Sequence, residues 1–137
     1  MFLGSYSTLF SGKNRLILPK RFRKELGNED RFYILMGKNG EVWGFDSINW
    51  SKLVSIILES PLTSEEGRVK RLNFFPQAEE CTLDVQGRFI LPQEFITGLD
   101  FKEEVVIIGA GDHFEIWNDK AWEKHIKEIE RGYERVS

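Results

Sequence analysis

The sequence predicts a mainly β protein with helices set into it, of the α+β class, built from two copies of one β-β-α-β-β-α unit. Three observations carry that prediction. A segment recurs at an offset of 73, with Arg15/Arg88, Ile17/Ile90, Leu18/Leu91, Pro19/Pro92, Phe22/Phe95 and Leu26/Leu99 identical. The likeness resumes at an offset of 72 with Gly37/Gly109, Trp50/Trp122, Lys52/Lys124 and Ile57/Ile129. Within each copy, short apolar runs of strand length alternate with turn residues, and the copy closes on an amphipathic helix.

The elements follow in order. Leu16-Ile-Leu18 and Phe89-Ile-Leu91 are unbroken apolar runs, as expected of strands buried on both faces. Pro19 and Pro92 suit the first turn of a helix, where the missing N–H is no loss, and the short helices run to Leu26 and Leu99. Phe32 to Met36 and Val105 to Ile108 are further strands. Asn39-Gly40 predicts a two-residue hairpin turn into Val42–Phe45, and Gly109 to His113 leads into Phe114–Trp117. Asp46 or Ser47 starts a helix bearing Trp50, Leu53, Val54, Ile57 and Leu58. Asn118 or Asp119 starts its counterpart, bearing Trp122, Ile126, Ile129 and Tyr133. The organisation expected is a first repeat over 1–60, a connecting helix over 61–76 and a second repeat over 77–137, sharing one core. The connector begins with Thr63 or Ser64 as N-cap and places Val69, Leu72 and Phe75 on one docked face.

Composition narrows the classes. In 137 residues, 41% are hydrophobic and 30% charged, as in a soluble globular domain. One cysteine excludes an internal disulfide and points to a reducing, cytoplasmic setting. No apolar run reaches the roughly 18 residues of a membrane span, and the N-terminus has no signal-peptide pattern. The net charge of −3 is weak evidence against nucleic acid, but it averages two unlike parts. Residues 1–31 hold seven basic and three acidic side chains, a net of +4; the remaining 12 basic and 19 acidic give −7. Such an asymmetry permits one basic face on an acidic protein.

In both copies the repeated arginine ends a tight turn: Ser11-Gly-Lys-Asn-Arg15 and Asp84-Val-Gln-Gly-Arg88. Asn14 and Gly87 match at a position that calls for a left-handed backbone. A carboxylate four residues ahead of an arginine can accept from the turn backbone and orient the guanidinium. Held on a strand rim, such an arginine offers donors to a phosphate or a guanine edge.

These residues resemble the MraZ family, double-copy members of the AbrB-like DNA-binding fold. The resemblance is carried by Met1-Phe-Leu-Gly, Arg15-Leu-Ile-Leu-Pro, Arg71-Leu-Asn-Phe-Phe, Ala78-Glu-Glu-Cys, Leu83-Asp-Val-Gln-Gly-Arg-Phe-Ile-Leu-Pro92 and Glu115-Ile-Trp117, along nearly the whole chain. It implies a pseudo-two-fold, swapped-hairpin β-barrel, ring-shaped homo-oligomers, and a nucleoid-associated transcription regulator of the division and cell-wall gene cluster. The partner implied is double-stranded promoter DNA with repeated short sites. The family marks each half with Asp-x-x-x-Arg; Asp84 and Arg88 match it, whereas Ser11 stands in the first half where the carboxylate belongs. The expected DNA-binding residues are therefore Arg15, Arg88, Asp84, Gln86 and Ser11, with Lys13, Lys20, Arg21 and Arg23 as phosphate contacts.

Two rival classes are weaker. For an enzyme, Cys81 alternates with Leu83 and reads as a buried structural thiol, while His113 and His125 read as surface residues without metal-ligand spacing. No catalytic residue, metal, cofactor or small-molecule substrate is expected. The other rival is a ring-forming scaffold of the same fold without DNA binding, suggested by the acidic balance and four tryptophans.

Overall fold

The computed structural model describes the backbone of residues 1–136 and side chains through residue 132, so the Tyr133 side chain lies outside the described residues. The first half comprises β1 (Ser5–Leu9), β2 (Arg15–Ile17), α1 (Lys20–Glu25), β3 (Arg31–Met36), β4 (Val42–Phe45) and α2 (Ser47–Ile57). The helix α3 (Glu65–Phe74) and a 3-10 turn (Phe75–Gln77) follow. The same succession then recurs as β5 (Glu79–Thr82), β6 (Arg88–Ile90), α4 (Gln93–Gly98), β7 (Glu104–Gly109), β8 (Phe114–Asn118) and α5 (Asp119–Val136). The class is α+β, with antiparallel pairing throughout.

The halves exchange strands. Six strands form one sheet in the order β1-β7-β8-β4-β3-β5, and β2 pairs with β6 in a separate ribbon. β1 lies on the second half's hairpin, from Ser5 opposite Ile108 to Leu9 opposite Glu104. β5 lies on the first half's hairpin, from Arg31 opposite Thr82 to Ile34 opposite Glu79. The hairpins meet at the centre through β4 and β8, where Val42 faces Ile116.

One core draws on both halves. Leu16, Leu18, Phe22, Phe32 and Ile34 pack with Phe89, Leu91, Phe95, Phe114 and Ile116, all buried. Phe114 is its hub, with ring centroids 5.2 Å from Phe2, 5.6 Å from Phe22 and 5.5 Å from Phe32. A smaller cluster of Leu35, Phe45 and Phe74 holds α2 and α3. There Trp50 stacks between Tyr33 at 5.1 Å and Phe74 at 5.3 Å.

Local chemistry sets the ends of the helices. Pro19 and Pro92 occupy the N-cap positions, one residue earlier than expected, with extended backbones at ψ 139° and 144°. The Pro19 carbonyl accepts from Phe22 and Arg23 N–H at 2.8 and 3.0 Å. Ser64 caps α3, its hydroxyl accepting from Gly67 N–H at 2.9 Å. Asn118 Oδ1 does the same for α5, accepting from Lys120 and Ala121 N–H.

Three sequence expectations are corrected. The Leu16–Leu18 and Phe89–Leu91 runs are not buried on both faces, since Ile17 is 43% and Ile90 58% exposed. A two-stranded ribbon has core on one side only, and Leu16 and Phe89 take that side. The Asn39-Gly40 turn is a three-residue loop over 38–40, closed by Gly37 N–H to Glu41 O at 2.8 Å. A two-residue type I′ turn needs positive φ at both positions, and only Gly40 has it (89°). Instead the buried Glu41 carboxylate accepts from Asn39 N–H at 2.9 Å and fixes the wider loop. Finally, α3 docks, but not on the expected face. Val69, Leu72 and Phe75 are exposed, and contact is made by Phe74 and by Gly67, which sits against the Pro61 carbonyl with no room for a Cβ.

Gly44, in the centre of the sheet, leaves space that the Phe114 ring fills. Gly44→Ala should therefore lower the unfolding free energy read from urea denaturation by about 1–3 kcal/mol through overpacking. Gly98→Ala, in α4 with only Met36 Cε at 3.6 Å, should be neutral or raise it by up to about 1 kcal/mol.

Candidate nucleic-acid interface

The second arginine turn is organised by one carboxylate. Asp84 Oδ1 accepts from Gln86 N–H and Arg88 N–H, each at 2.9 Å, and Oδ2 accepts from Arg88 Nε at 2.9 Å. Asp84 N–H donates to Arg88 O at 2.8 Å and Gly87 N–H to Asp84 O at 3.0 Å. Gly87 has φ 80°, the conformation that lets the chain return into β6. The Arg88 amide above all, with the Arg88 side chain and the Gln86 amide, holds the Asp84 carboxyl below the usual carboxylate range against the opposing desolvation. The guanidinium is thereby fixed at Nε, and among the described residues its terminal nitrogens make no hydrogen bond.

The first turn closes in the same way but lacks the brace, and its course differs at Gly12, which has φ 65° where its counterpart Val85 has no positive φ. Ser11 N–H donates to Arg15 O at 2.8 Å, and Asn14 takes φ 60°. Among the described residues the Ser11 hydroxyl makes no hydrogen bond to Arg15. Asn14 Nδ2 donates to Gln93 Oε1 of α4 at 3.0 Å instead.

The two turns are locked to each other's half. Leu18 N–H donates to Gly87 O at 2.9 Å, and Leu91 N–H to Asn14 O at 2.8 Å. In the ribbon, Arg15 stands opposite Ile90, Leu16 opposite Phe89 and Ile17 opposite Arg88. Side chains of directly opposed residues share a face. Leu16 and Phe89 point into the core, so Arg15, Ile17, Arg88 and Ile90 share the outer face. Arg15, Asp84, Arg88 and Ile90 also border a common shallow cleft.

Lys13, Lys20 and Arg21 are exposed and form no ion pair among the described residues. Gln86 is exposed, and its backbone serves the turn. Arg23 is placed differently from the expected phosphate contact. Its Nη1 donates to Gln86 O at 3.2 Å, its guanidinium lies over Gly87 where a Cβ would clash, and its Nε is buried without a partner. It props the second turn from α1 of the first half. A sequence signal for this exists: at the offset of 73 its counterpart is the partly buried, apolar Ile96, so Arg23 breaks the repeat at a packed position. The Asn14–Gln93 bond spans 79 residues and leaves no trace in either local segment.

The other chemical candidates have structural settings. Cys81 is buried, and desolvation, with Glu79 and Glu80 nearby, pushes its thiol up to about 12. A thiol at that value is not ionised near neutral pH. His113 and His125 are not the surface residues expected. His125 stacks on the buried Trp117 at 4.7 Å, because β8 turns that ring toward α5. His113 lies against Phe45 at 5.5 Å and bonds Asp112 Oδ1 and Glu115 Oε2, each at 2.8 Å. Burial disfavours its charge, yet the bonds to Glu115 and Asp112 prevail and raise its pKa. Glu115 is likewise opposed by burial but lowered by His113 and by Trp117 Nε1. Among the described residues no group of three or more His, Cys, Asp or Glu is arranged to hold a metal, and no helix is long and apolar enough to cross a membrane.

Fold and site together define a duplicated α+β protein whose halves trade their first strands and set one arginine turn each on a shared ribbon. The family model described as "MraZ protein, putative antitoxin-like" matches residues 1–72 and again 74–135. The chain belongs to the MraZ family. It is 32% identical to the Transcriptional regulator MraZ of Ligilactobacillus salivarius over 137 residues, covering 100% of this chain and 94% of the relative. The proteins of that name from Halothermothrix orenii and Caldicellulosiruptor bescii are each 34% identical with the same coverage.

Asp84→Ala should speed hydrogen exchange at the Gln86 and Arg88 amides about tenfold, whereas Ser11→Ala should leave the Lys13 and Arg15 amides unchanged. The His113–Glu115 pair should give a pH-dependent stability. The raised His113 pKa contributes below the unfolded value near 6.5 and is lost as pH rises through the folded value. The lowered Glu115 pKa contributes above the unfolded carboxylate value and is lost as pH falls through the folded one. Urea midpoints from pH 5 to 9 should show an alkaline decline that His113→Gln removes.

Proposed function

We propose that the chain is a sequence-specific DNA-binding transcription regulator of the division and cell-wall gene cluster, cytoplasmic and nucleoid-associated. It binds repeated short promoter sites as a homo-oligomeric ring. The observation that carries this reading is the ribbon face, where one arginine from each half stands on the same solvent side, Arg88 with its orienting carboxylate. A two-stranded ribbon fits the major groove, and arginine is the side chain best suited to a guanine edge. Lys13, Lys20 and Arg21 supply phosphate contacts around it, and Gln86 sits at the tip of the braced turn. The name shared by the relatives, Transcriptional regulator MraZ, supports the regulatory role.

One chain offers two turns and few phosphate contacts, so assembly multiplies affinity over repeated sites without new contacts. The exposed apolar edge of Val69, Leu72 and Phe75 supports such assembly. The same edge is what favours the second reading, a ring-forming scaffold without DNA binding. Mobility shift with promoter duplexes across a salt series separates the two. A regulator loses about 0.9 log units of affinity per phosphate contact for each decade of salt, while a scaffold leaves the duplex unshifted even at low salt.

Arg88→Ala should erase sequence preference by about 10- to 100-fold, the size of a bidentate base contact. Arg15→Ala should cost less, because Ser11 does not orient it. Equal losses in competition against random duplex would contradict the asymmetry.

A further inference from the structure

Two isoleucines share the outer ribbon face with the arginines, and none of the described residues covers them. Ile17 is 43% and Ile90 58% exposed, although both flank fully buried neighbours in strands of three residues. Each stands directly opposite the arginine of the other half, Ile17 across from Arg88 and Ile90 across from Arg15. Opposed side chains in an antiparallel pair lie roughly 5 Å apart at Cβ. Successive outer-face residues on a strand are about 7 Å apart, close to two base-pair steps. The face is thus two mixed pairs, each made of one guanidinium and one branched aliphatic group, each drawn from both halves.

The surroundings narrow what such a face can meet. An aliphatic side chain offers nothing to phosphate, and the guanidiniums, with Lys13, Lys20 and Arg21 nearby, favour an anionic partner over an apolar one. A major groove presents both chemistries side by side. Guanine offers two acceptors for an arginine, and the thymine 5-methyl is the apolar group on a base edge.

We propose that Ile17 and Ile90 are specificity-determining residues that contact thymine 5-methyl groups beside the guanines taken by Arg88 and Arg15. This rests on the DNA-binding reading above and adds to it a defined base class. The preferred site then contains guanine with thymine on an adjacent base pair. Its recognition depends on a methyl group as well as on hydrogen bonds.

The test starts from a duplex selected out of a randomised pool by the unaltered full-length chain. Its affinity is compared with that of the same duplex carrying deoxyuridine for thymidine, which removes only the methyl groups. The expected result is about fourfold weaker binding for each methyl lost, the value of one buried methyl-sized group. The double variant Ile17→Ala/Ile90→Ala should bind both duplexes alike, with the affinity of the unaltered chain for the uracil form. Both residues are exposed, so folding is not at stake, and the comparison of duplexes with the unaltered chain needs no variant. Equal binding of the two duplexes by the unaltered chain, with sequence preference intact, overturns the methyl contact and leaves DNA binding standing. A change of oligomeric mass in the double variant also overturns it, by assigning the face to a contact between copies. Selection that enriches no sequence removes the DNA reading itself, and this inference with it.

Discussion

The pairing of β2 with β6 is the constraint on which the site depends. Each strand is three residues long, and neither belongs to the six-stranded sheet. Two such strands do not persist alone in water. They are held by burying Leu16 and Phe89 in a core built by both halves, and by the crossed bonds from Leu18 to Gly87 and from Leu91 to Asn14. Burial of one face dictates what the other face carries. Alternation leaves Arg15, Ile17, Arg88 and Ile90 outside, so the chemistry of the surface is the remainder of the packing of the core.

Around that symmetric ribbon the supports are unequal. The second turn has a carboxylate inside it and Arg23 against it from outside. The first has Asn14 reaching to Gln93 and no charge at position 11. A guanidinium fixed at Nε loses less freedom on meeting a planar edge than one that must be oriented on contact. The difference between the turns therefore bears on selectivity first and on general attraction to phosphate much less.

Much of this was legible in the residues. The repeat, the strand and helix order, the caps at Ser64 and Asn118 and the Asp84–Arg88 brace follow from spacing and side-chain chemistry over a few residues. The exchange of β1 and β5 came only with the family resemblance, which implies swapped hairpins, because the two hairpins are alike and local pattern cannot say which one a strand joins. The outward turn of Ile17 and Ile90 was hidden for a related reason: an unbroken apolar run looks the same whether its middle residue meets core or solvent. On α3 the apolar spacing of Val69, Leu72 and Phe75 pointed to a docked face, yet the single Phe74 ring against Trp50 decides the orientation. Position 113 escaped because the Phe45 ring against it is set by the register between strands, although Asp112 and Glu115 are its neighbours in the chain.

Covalent joining of the halves has a genetic consequence. In an assembly of two identical chains, any substitution in an arginine turn alters both turns at once. Here a change at position 11 touches one turn and leaves the Asp84 turn as it was. The two sides of the ribbon can be inherited and varied separately, which permits a nearly symmetric scaffold to serve an asymmetric site. Ser11 facing Asp84 across the repeat, and Arg23 facing Ile96, are places where that separate variation has already been written into the chain.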